Sequence, residues 1–198
     1  MGYHPNFFDK DEKSHRERGQ LDIRLKLIEN TNLGGTMLDV GCSGGYNSFA
    51  LAKYFDSIYA FDMVPELIAD AKKIALENKT NNLLFNMENL TENIKDLTKY
   101  DTILYLSTHH HVVGQNGIKK GGEILSKLFN KCNKVMFLDM GQKDEMCAEH
   151  RWWNILPFEK SDMWTSQHIE TYTNIKPEKI GHTIIHNTKR FLWKIERQ

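Results

Sequence analysis

The stretch MLDVGCSGGYNS, residues 37–48, has the residue types of a ligand-binding turn. An apolar run carries Asp39, and Gly41, Ser43 and Gly45 follow before a segment of helical character. Glycines let a ligand approach the backbone with no Cβ in the way, and the N–H groups that open a helix can bind an anion. The stretch therefore predicts a strand, a turn and a helix, which either hold a cofactor or simply make a tight turn.

A second polar residue, Asp62, follows the next apolar run, SIYAF. A carboxylate at the end of a strand can accept hydrogen bonds from the two vicinal hydroxyls of a ribose. It could also cap the helix that Pro65 begins, and the two functions are compatible. The dinucleotide pattern GxGxxG does not fit the preceding turn, because Ser43 and Tyr46 stand where that pattern requires glycine.

Three consecutive histidines, His109 to His111, follow the apolar run DTILYL. An imidazole can take a proton from a nucleophile near neutral pH, whereas a buried histidine more simply satisfies backbone groups. Neighbours on a continuing strand face opposite ways, so at most one of His110 and His111 would act, although a turn after Ser107 could free both. No cysteine or acidic pair stands at ligand spacing nearby, so no metal site is predicted.

The segment FLDMGQKDEMCAEHRWWNILPF, residues 137–158, brings acidic, basic and aromatic side chains into one connection. Aromatic faces beside charged groups suit sugar rings, while packing in a core is the commoner role of tryptophan. Glu145, Trp152 and Trp153 are the candidates for contact with a substrate.

Composition narrows the class of protein. Lys plus Arg and Asp plus Glu both number 26, so the chain lacks the positive excess of a typical nucleic-acid-binding protein. Three cysteines without CxxC spacing, and no apolar signal segment, favour a reducing cytoplasm. No stretch reaches the roughly 20 apolar residues of a membrane span. A chain of 198 residues without repeat or linker predicts one domain.

Short apolar runs alternate with helical segments along the chain. The stripe Leu21, Leu25 and Ile28 predicts a leading helix, and PELIADAKKIALEN predicts a crossover helix. The run GHTIIHNTKRFLWKI predicts a C-terminal hairpin. The predicted buried strands are TMLDV, SIYAF, NLLF, DTILYL and KVMFLDM. This alternation is typical of an α/β fold with a doubly wound sheet that binds ligands at the carboxyl ends of its strands.

The glycine-rich stretch resembles the first motif of class I S-adenosylmethionine-dependent methyltransferases, in which an acidic residue and a glycine-rich turn follow a strand. Ser43 departs from the glycine most familiar there. The resemblance extends in order over residues 36–140. It implies a Rossmann-like sheet of seven strands, mostly parallel with an antiparallel C-terminal pair, and S-adenosyl-L-methionine as the cofactor.

The same resemblance implies cofactor contacts. Asp39 would balance the ammonium and sulfonium groups, Asp62 would bind the ribose and Met63 would lie against the adenine. The stretch FNMENL resembles the adenine-contact motif, with Asn86 where aspartate is common. The full set of expected cofactor residues is Arg16, Arg18, Asp39, Gly41, Ser43, Gly45, Asp62, Met63, Asn86, Met87 and Ser107.

The expected layout is a single methyltransferase domain over 1–198, with three parts. Residues 1–35 form a helical segment over the site, 36–140 the cofactor-binding core, and 141–198 the substrate-side connection and the hairpin. In the first part, Arg16 or Arg18 could pair with the cofactor carboxylate, a solvated basic helix face being the alternative.

His110 and His111 match a histidine pair that often follows the fourth strand in this family, and they are the expected catalytic residues. The Asn/Asp-Pro-Pro-Tyr/Phe motif of many amino-directed nucleic-acid methyltransferases is absent after this strand. The chain also resembles methyltransferase domains that cap or decorate bacterial surface glycans, through the histidine pair, the acidic-aromatic-Pro segment and the ending RFLWKI.

We therefore expect O-directed methyl transfer to a glycan, a phosphate or a small metabolite, with no membrane partner. Two alternatives stay open. One is an RNA methyltransferase, for which the basic residues would be Lys119, Lys120, Lys127, Lys131 and Lys134. The other is a cofactor-binding protein without catalytic activity.

Overall fold

In the computed structural model, which describes residues 7, 15–143, 145, 154–156, 161–185 and 187–197, helices and strands alternate. The helices are α1 (His15–Glu29), α2 (Tyr46–Leu51), α3 (Pro65–Glu77), α4 (Leu90–Asn93), α5 (His109–Asn116), α6 (Ile118–Phe129) and α7 (Ser161–Thr173). The strands are β1 (Thr36–Val40), β2 (Ser57–Asp62), β3 (Leu83–Met87), β4 (Tyr100–Tyr105), β5 (Cys132–Asp139), β6 (Glu178–Ile185) and β7 (Thr188–Glu196). None of the helices in this part of the chain is long and apolar enough to cross a membrane.

The strands form one seven-stranded sheet in the order β3-β2-β1-β4-β5-β7-β6. The first five strands are parallel to one another, and β7 runs antiparallel to both β5 and β6. The predicted mostly parallel sheet with an antiparallel C-terminal pair is therefore confirmed. The chain order reverses between β1 and β4, and in sheets of this kind the ligand crevice lies at the carboxyl ends of the two strands where the order reverses.

Helices cover both faces of the sheet, because the central strands are buried on both sides. Leu38 and Val40 of β1 pack into a core with α4, α5, α6 and α7. Met37 points the other way, into a core that includes Leu21, Leu25 and Ile28 of α1 together with α2 and α3. Burial on both faces explains why these strands have continuous apolar runs instead of alternating ones.

The leading helix is fixed to the rest of the molecule by polar contacts at both of its flanks. The hydroxyl of Tyr46 donates to Asp22 Oδ1 at 2.8 Å, which ties α1 to α2. The backbone N–H of Ile184 donates to Gln20 Oε1 at 2.6 Å, which ties α1 to the edge strand β6. Helix α1 therefore bridges the glycine-rich turn and the C-terminal hairpin.

The histidine run does not continue a strand. β4 ends at Tyr105, Ser107 adopts a left-handed backbone conformation with φ 53°, and α5 begins at His109. Of the two alternatives considered from the sequence, a continuing strand is wrong and a turn after β4, at Ser107, is present. On a helix, successive residues are rotated by about 100°, so the three rings point in three different directions.

Gly122 lets α6 and α7 approach each other closely. A Cβ at this position would lie 2.1 Å from a ring carbon of Tyr172. We expect Gly122→Ala to lower the free energy of unfolding by about 1–3 kcal/mol, because the ring and α7 must shift. Urea unfolding followed by circular dichroism measures the change.

Gly19→Ala in α1 is the matched control, since no described atom lies within 4 Å of a Cβ there. It should leave stability unchanged or raise it by up to about 1 kcal/mol through helix propensity. Equal stability of the two variants would contradict this account of the contact between α6 and α7.

Candidate functional site

The glycine-rich turn after β1, here called the glycine cradle, has no room for a side chain at two of its positions, Gly41 and Gly45. Gly41 has φ 73°, and a Cβ there would lie 2.3 Å from Thr108 Oγ1. Gly45 has φ 81°, and a Cβ there would lie 2.8 Å from ring carbons of Phe85. The N–H groups of Gly41 and Cys42 both donate to the carbonyl of Phe61, at 2.9 and 3.0 Å, which holds the turn against β2.

Ser43 takes the place where the family resemblance favours glycine, and it adopts the backbone conformation that glycine would. Its φ is 52°, in the left-handed region. Its Oγ is buried and has no hydrogen-bond partner among the described residues. A buried hydroxyl without a partner is costly, so this atom is suited to a ligand that occupies the turn.

Asp39 lies at the carboxyl end of β1 with only 1% of its surface exposed. Ser48 Oγ donates to its Oδ2 at 2.6 Å. Burial raises the pKa of Asp39 to about 6, an effect that the Ser48 hydrogen bond and the charge of Arg24 oppose and that the charge of Asp62 reinforces. A cation beside this carboxylate would relieve the cost of keeping it charged.

Both carboxylate oxygens of Asp62 accept hydrogen bonds from backbone N–H groups. Its Oδ2 accepts from Ser43 N at 2.9 Å and its Oδ1 accepts from Val64 N at 3.0 Å. Helix α3 has its N-cap at Val64 and no side-chain hydrogen bond caps it, so the helix-capping function considered for Asp62 from the sequence is wrong. Each carboxylate oxygen can accept a second hydrogen bond, so ribose binding stays a prediction.

Apolar side chains are exposed at the carboxyl ends of β2 and β3. Met63 is 59% exposed and Met87 is 58% exposed, and Val64 is exposed beside them. Asn86 Nδ2 donates to the hydroxyl of Tyr59 at 2.8 Å, so the amide oxygen is the group that could accept from a ligand. This edge of the sheet has the character of a site for a flat aromatic ring with an amino group.

A buried network of charges lies beyond the carboxyl ends of β4 and β5. Asp139 accepts from Arg24 Nη1 at 2.7 Å and from the backbone N–H of Ser107 at 2.6 Å. Ser107 Oγ accepts from Arg24 Nη1 at 3.1 Å and from Arg190 Nη1 at 2.9 Å, and it donates to Asp139 Oδ1 at 3.2 Å. Ser107, predicted to bind the cofactor, is therefore the centre of a network of side chains.

A second ion pair completes this network. Arg190 pairs with Glu145, with Nε donating to Oε1 at 2.9 Å and Nη2 contacting Oε2. Burial alone would raise the pKa of Asp139, but the guanidinium groups of Arg24 and Arg190 and the N–H of Ser107 hold that pKa below its ordinary value. Asp139 is therefore charged at neutral pH, and the network couples α1 to β7.

Sequence reasoning missed Arg24 and Arg190, although both leave a signal. Arg24 stands among Leu21, Leu25 and Ile28 at the spacing of the buried stripe, and it is 6% exposed. Arg190 shares the inward side of β7 with Leu192 and is 7% exposed. A charged residue at a core-facing position of a helix or strand indicates a buried partner.

The three histidines have different surroundings. His109 is fully buried, with Nδ1 at 3.3 Å from the hydroxyl of Tyr105 and Nε2 at 3.0 Å from His168 Nε2. His110 is 3% exposed, and its Nδ1 accepts from the backbone N–H of Gly141 at 3.0 Å. His111 is the exposed member, and its ring lies beside that of His110 at a centroid distance of 4.3 Å.

Five other predicted residues remain to be placed. Glu145 is fully buried against Arg190, and the N–H of Gln142 donates to its Oε1 at 2.9 Å. It holds the connection after β5 in place, and direct contact with a substrate stays a prediction. Trp152 and Trp153 lie outside the described residues, as do the side chains of Arg16 and Arg18 at the start of α1.

Comparison with known proteins gives a consistent picture. The family model of the methyltransferase domain matches residues 32–184. A ubiquinone biosynthesis O-methyltransferase of Coxiella burnetii is 33% identical over 119 residues, which cover 55% of this chain and 50% of that protein. The O-antigen chain terminator bifunctional methyltransferase/kinase WbdD of Escherichia coli is 31% identical over 132 residues, covering 64% and 18%. The chain thus spans half or less of the length of these relatives.

Two solved structures share the fold. A structure of WbdD superimposes with a TM-score of 0.75 and 22% identity, covering 98% of this chain and 39% of that one. Magnesium protoporphyrin IX methyltransferase of Synechocystis PCC 6803, crystallised with S-adenosylmethionine, gives a TM-score of 0.67 and 17% identity, covering 100% and 87%.

The buried carboxyl of Asp39 should make the protein less stable at high pH. The native carboxyl, with a pKa of about 6, holds a proton that the unfolded one, with a pKa near 3.8, has already released. Stability is therefore lost as the pH rises from about 4 to 6. We expect Asp39→Asn to raise the free energy of unfolding at pH 8 by about 2–3 kcal/mol, since each unit of pKa shift is worth about 1.4 kcal/mol.

Urea unfolding of both proteins at pH 8 and pH 4 measures this effect. The difference in the free energy of unfolding should shrink toward zero at pH 4, where residue 39 is neutral in both native proteins. The amide oxygen of Asn can still accept the hydrogen bond from Ser48. An equal gain at the two pH values would show that the effect does not come from ionisation.

Proposed function

Since this chain belongs to the methyltransferase domain family of S-adenosylmethionine-dependent enzymes, we propose that it transfers the cofactor's methyl group to an oxygen atom of a glycan, a phosphate or a small metabolite. The observation that carries the proposal is the glycine cradle between Asp39 and Asp62. It combines a tight turn, in which Gly41 and Gly45 have left-handed backbone and no room for a Cβ, with two carboxylates at the ends of neighbouring strands.

The residues present fit this cofactor. Asp39 would face the ammonium and sulfonium charges, and Ser43 Oγ, which has no partner in the described part of the chain, would gain a hydrogen bond. Asp62 would accept from the ribose hydroxyls, with Met63 and Met87 against the adenine and the amide oxygen of Asn86 accepting from its amino group. Met63 and Met87 are mostly exposed in the protein alone, so an adenine ring would bury apolar surface there.

Arg24 is a better candidate than Arg16 or Arg18 for the carboxylate of the cofactor. Its guanidinium is buried beside Ser107, and its Nε has no hydrogen-bond partner among the described residues. A buried N–H of a charged group is costly to leave without a partner, and a carboxylate would supply one.

When bound, S-adenosylmethionine would supply an activated methyl group, since the oxygen–carbon bond to the acceptor can form as the carbon–sulfur bond breaks and the neutral thioether leaves. The chain must orient the acceptor, exclude water and receive a proton if the acceptor is a neutral hydroxyl. His110 accepts a hydrogen bond at Nδ1 from Gly141, so in its neutral form the proton is on Nε2 and the ring donates. His111 is therefore the candidate base.

The acceptor is proposed from two relatives whose names describe oxygen-directed or glycan-related chemistry, the ubiquinone biosynthesis O-methyltransferase and the O-antigen chain terminator. Glu145, Trp152 and Trp153 remain the proposed contacts to the acceptor. Buried free thiols at Cys42 and Cys132 fit the proposed reducing cytoplasm.

The RNA-directed alternative has less support. Lys134 pairs with Asp101 at 3.3 Å, and Lys131 Nζ donates to the carbonyl of Lys95 at 3.1 Å. These two lysines of the expected stripe are thus engaged in the fold. A groove that binds RNA needs basic side chains directed at phosphates, and the neutral net charge adds no further attraction.

Asp62→Asn should weaken cofactor binding. An amide keeps the size of the side chain but has one acceptor oxygen, so the backbone caps and the ribose compete for it. We expect the Kd for S-adenosylmethionine, measured by titration calorimetry, to rise about 10- to 100-fold. The control is Asp70→Asn on the exposed side of α3, which should bind as the wild type does. Unchanged affinity of Asp62→Asn would remove the ribose assignment.

His111→Ala should slow methyl transfer by about 10²–10⁴-fold if the acceptor is a neutral hydroxyl, while the Kd for the cofactor stays unchanged. The assay incubates the protein with labelled S-adenosylmethionine and cell extract, and mass spectrometry identifies the labelled product. The wild-type rate should rise with pH through the ionisation of a histidine. Wild-type turnover by both His111→Ala and His110→Ala would instead indicate a phosphate or another ionised acceptor.

A further inference from the structure

We propose that His168 on α7 is a positioning residue, which acts through His109 to fix the direction in which His111 points. The observation is a line of three polar groups through the core, from the hydroxyl of Tyr105 to His109 and on to His168. The inference rests on the proposed function for the role of His111, while the contacts themselves do not depend on it.

His168 is itself held in place on α7. Its ring stacks on Trp164 at a centroid distance of 4.8 Å and an interplanar angle of 18°. Tyr172 lies on its other side along the helix, at a centroid distance of 4.9 Å. One turn before and one turn after His168, aromatic rings thus restrict the imidazole, so that its Nε2 meets His109 in one orientation.

The imidazoles of His109 and His168 are both neutral, and one proton lies in the hydrogen bond between them. Burial lowers the pKa of His168 to about 4, and burial together with the charge of His168 holds the pKa of His109 well below its ordinary value. A separation of 3.0 Å between the two Nε2 atoms then requires one N–H donor and one bare nitrogen. In either direction of this hydrogen bond, His109 uses both of its nitrogens, with Tyr105 on the other side, so it cannot serve as the base.

The first turn of α5 is consequently anchored from two sides. His109 bonds to α7, and His110 accepts from Gly141 in the connection after β5. Together these two bonds fix the rotation of α5 about its own axis, and this rotation sets the direction of the next residue, His111.

If His168 had a purely structural role, any side chain of similar volume would suffice at its position. An apolar side chain of similar size would fill this part of the core without the cost of burying two imidazoles. A directional hydrogen bond adds an angular restraint, and a catalytic group must be held within about 10–20° of its productive direction. The polar pair therefore fits a positioning role better than a packing role.

The test compares His168→Phe, which keeps the aromatic stack but removes the hydrogen bond, with His168→Gln, whose amide can replace it. The control is His182→Phe, the same substitution at an exposed position on β6. Protein labelled with 13C at the Cε1 of its 9 histidines gives a resolvable spectrum, and the His111 signal is assigned from His111→Ala. This readout needs no acceptor and no turnover.

We expect His168→Phe to shift the Cε1 resonance of His111 and to lower kcat by about tenfold or more, with the Kd for S-adenosylmethionine unchanged. His168→Gln should restore both, and His182→Phe should change neither. An unmoved His111 resonance in His168→Phe overturns the inference, and so does a parallel loss of cofactor affinity, which would indicate general loosening of the fold. Failure of the proposed function alone would appear as absent methyl transfer in the wild type with the resonance shift intact.

Discussion

The hydroxyl of Ser107 accepts hydrogen bonds from two buried arginines, and much of the site depends on that convergence. Arg24 reaches it from the leading helix and Arg190 from the last strand, while Asp139 and Glu145 balance their charges. Elements at opposite ends of the sequence thus meet at one atom beside the crevice. Removing one partner of such a buried pair leaves a charge uncompensated, at a cost of about 3–5 kcal/mol.

This network also explains why the helix before β1 belongs to the site. Helix α1 has few means of fixing its position along the sheet through apolar packing alone, because apolar contacts are not directional. The ion pair of Arg24 with Asp139 supplies the direction, and the contacts of Asp22 and Gln20 restrict the two flanks. Helix α1, which lies beside the turn that would hold the cofactor, therefore has its position along the sheet fixed by an ion pair.

The sheet and its ligand-binding edge were predictable from the sequence because both follow from local patterns. Five apolar runs became β1 to β5, and the hairpin pattern became β6 and β7. The turn at Gly41 and Gly45 was predictable because a left-handed backbone in a tight space demands glycine. The start of α5 at His109 was not predictable in this way, because three consecutive histidines show no apolar periodicity that would distinguish a helix from a strand. Arg24 and Arg190 were missed because their partners are distant in sequence, and only the fold brings them together.

The buried carboxyl of Asp39 has a consequence for how a ligand is held. With a pKa of about 6, it is partly protonated in mildly acidic solution. A cation that binds beside it must then displace that proton, so binding and proton release form one coupled equilibrium. Below the pKa, binding a cation there requires the release of a proton, and above the pKa the carboxylate is already charged. Acidification below this pKa would therefore weaken the binding of a cation beside Asp39 without any change in the shape of the site.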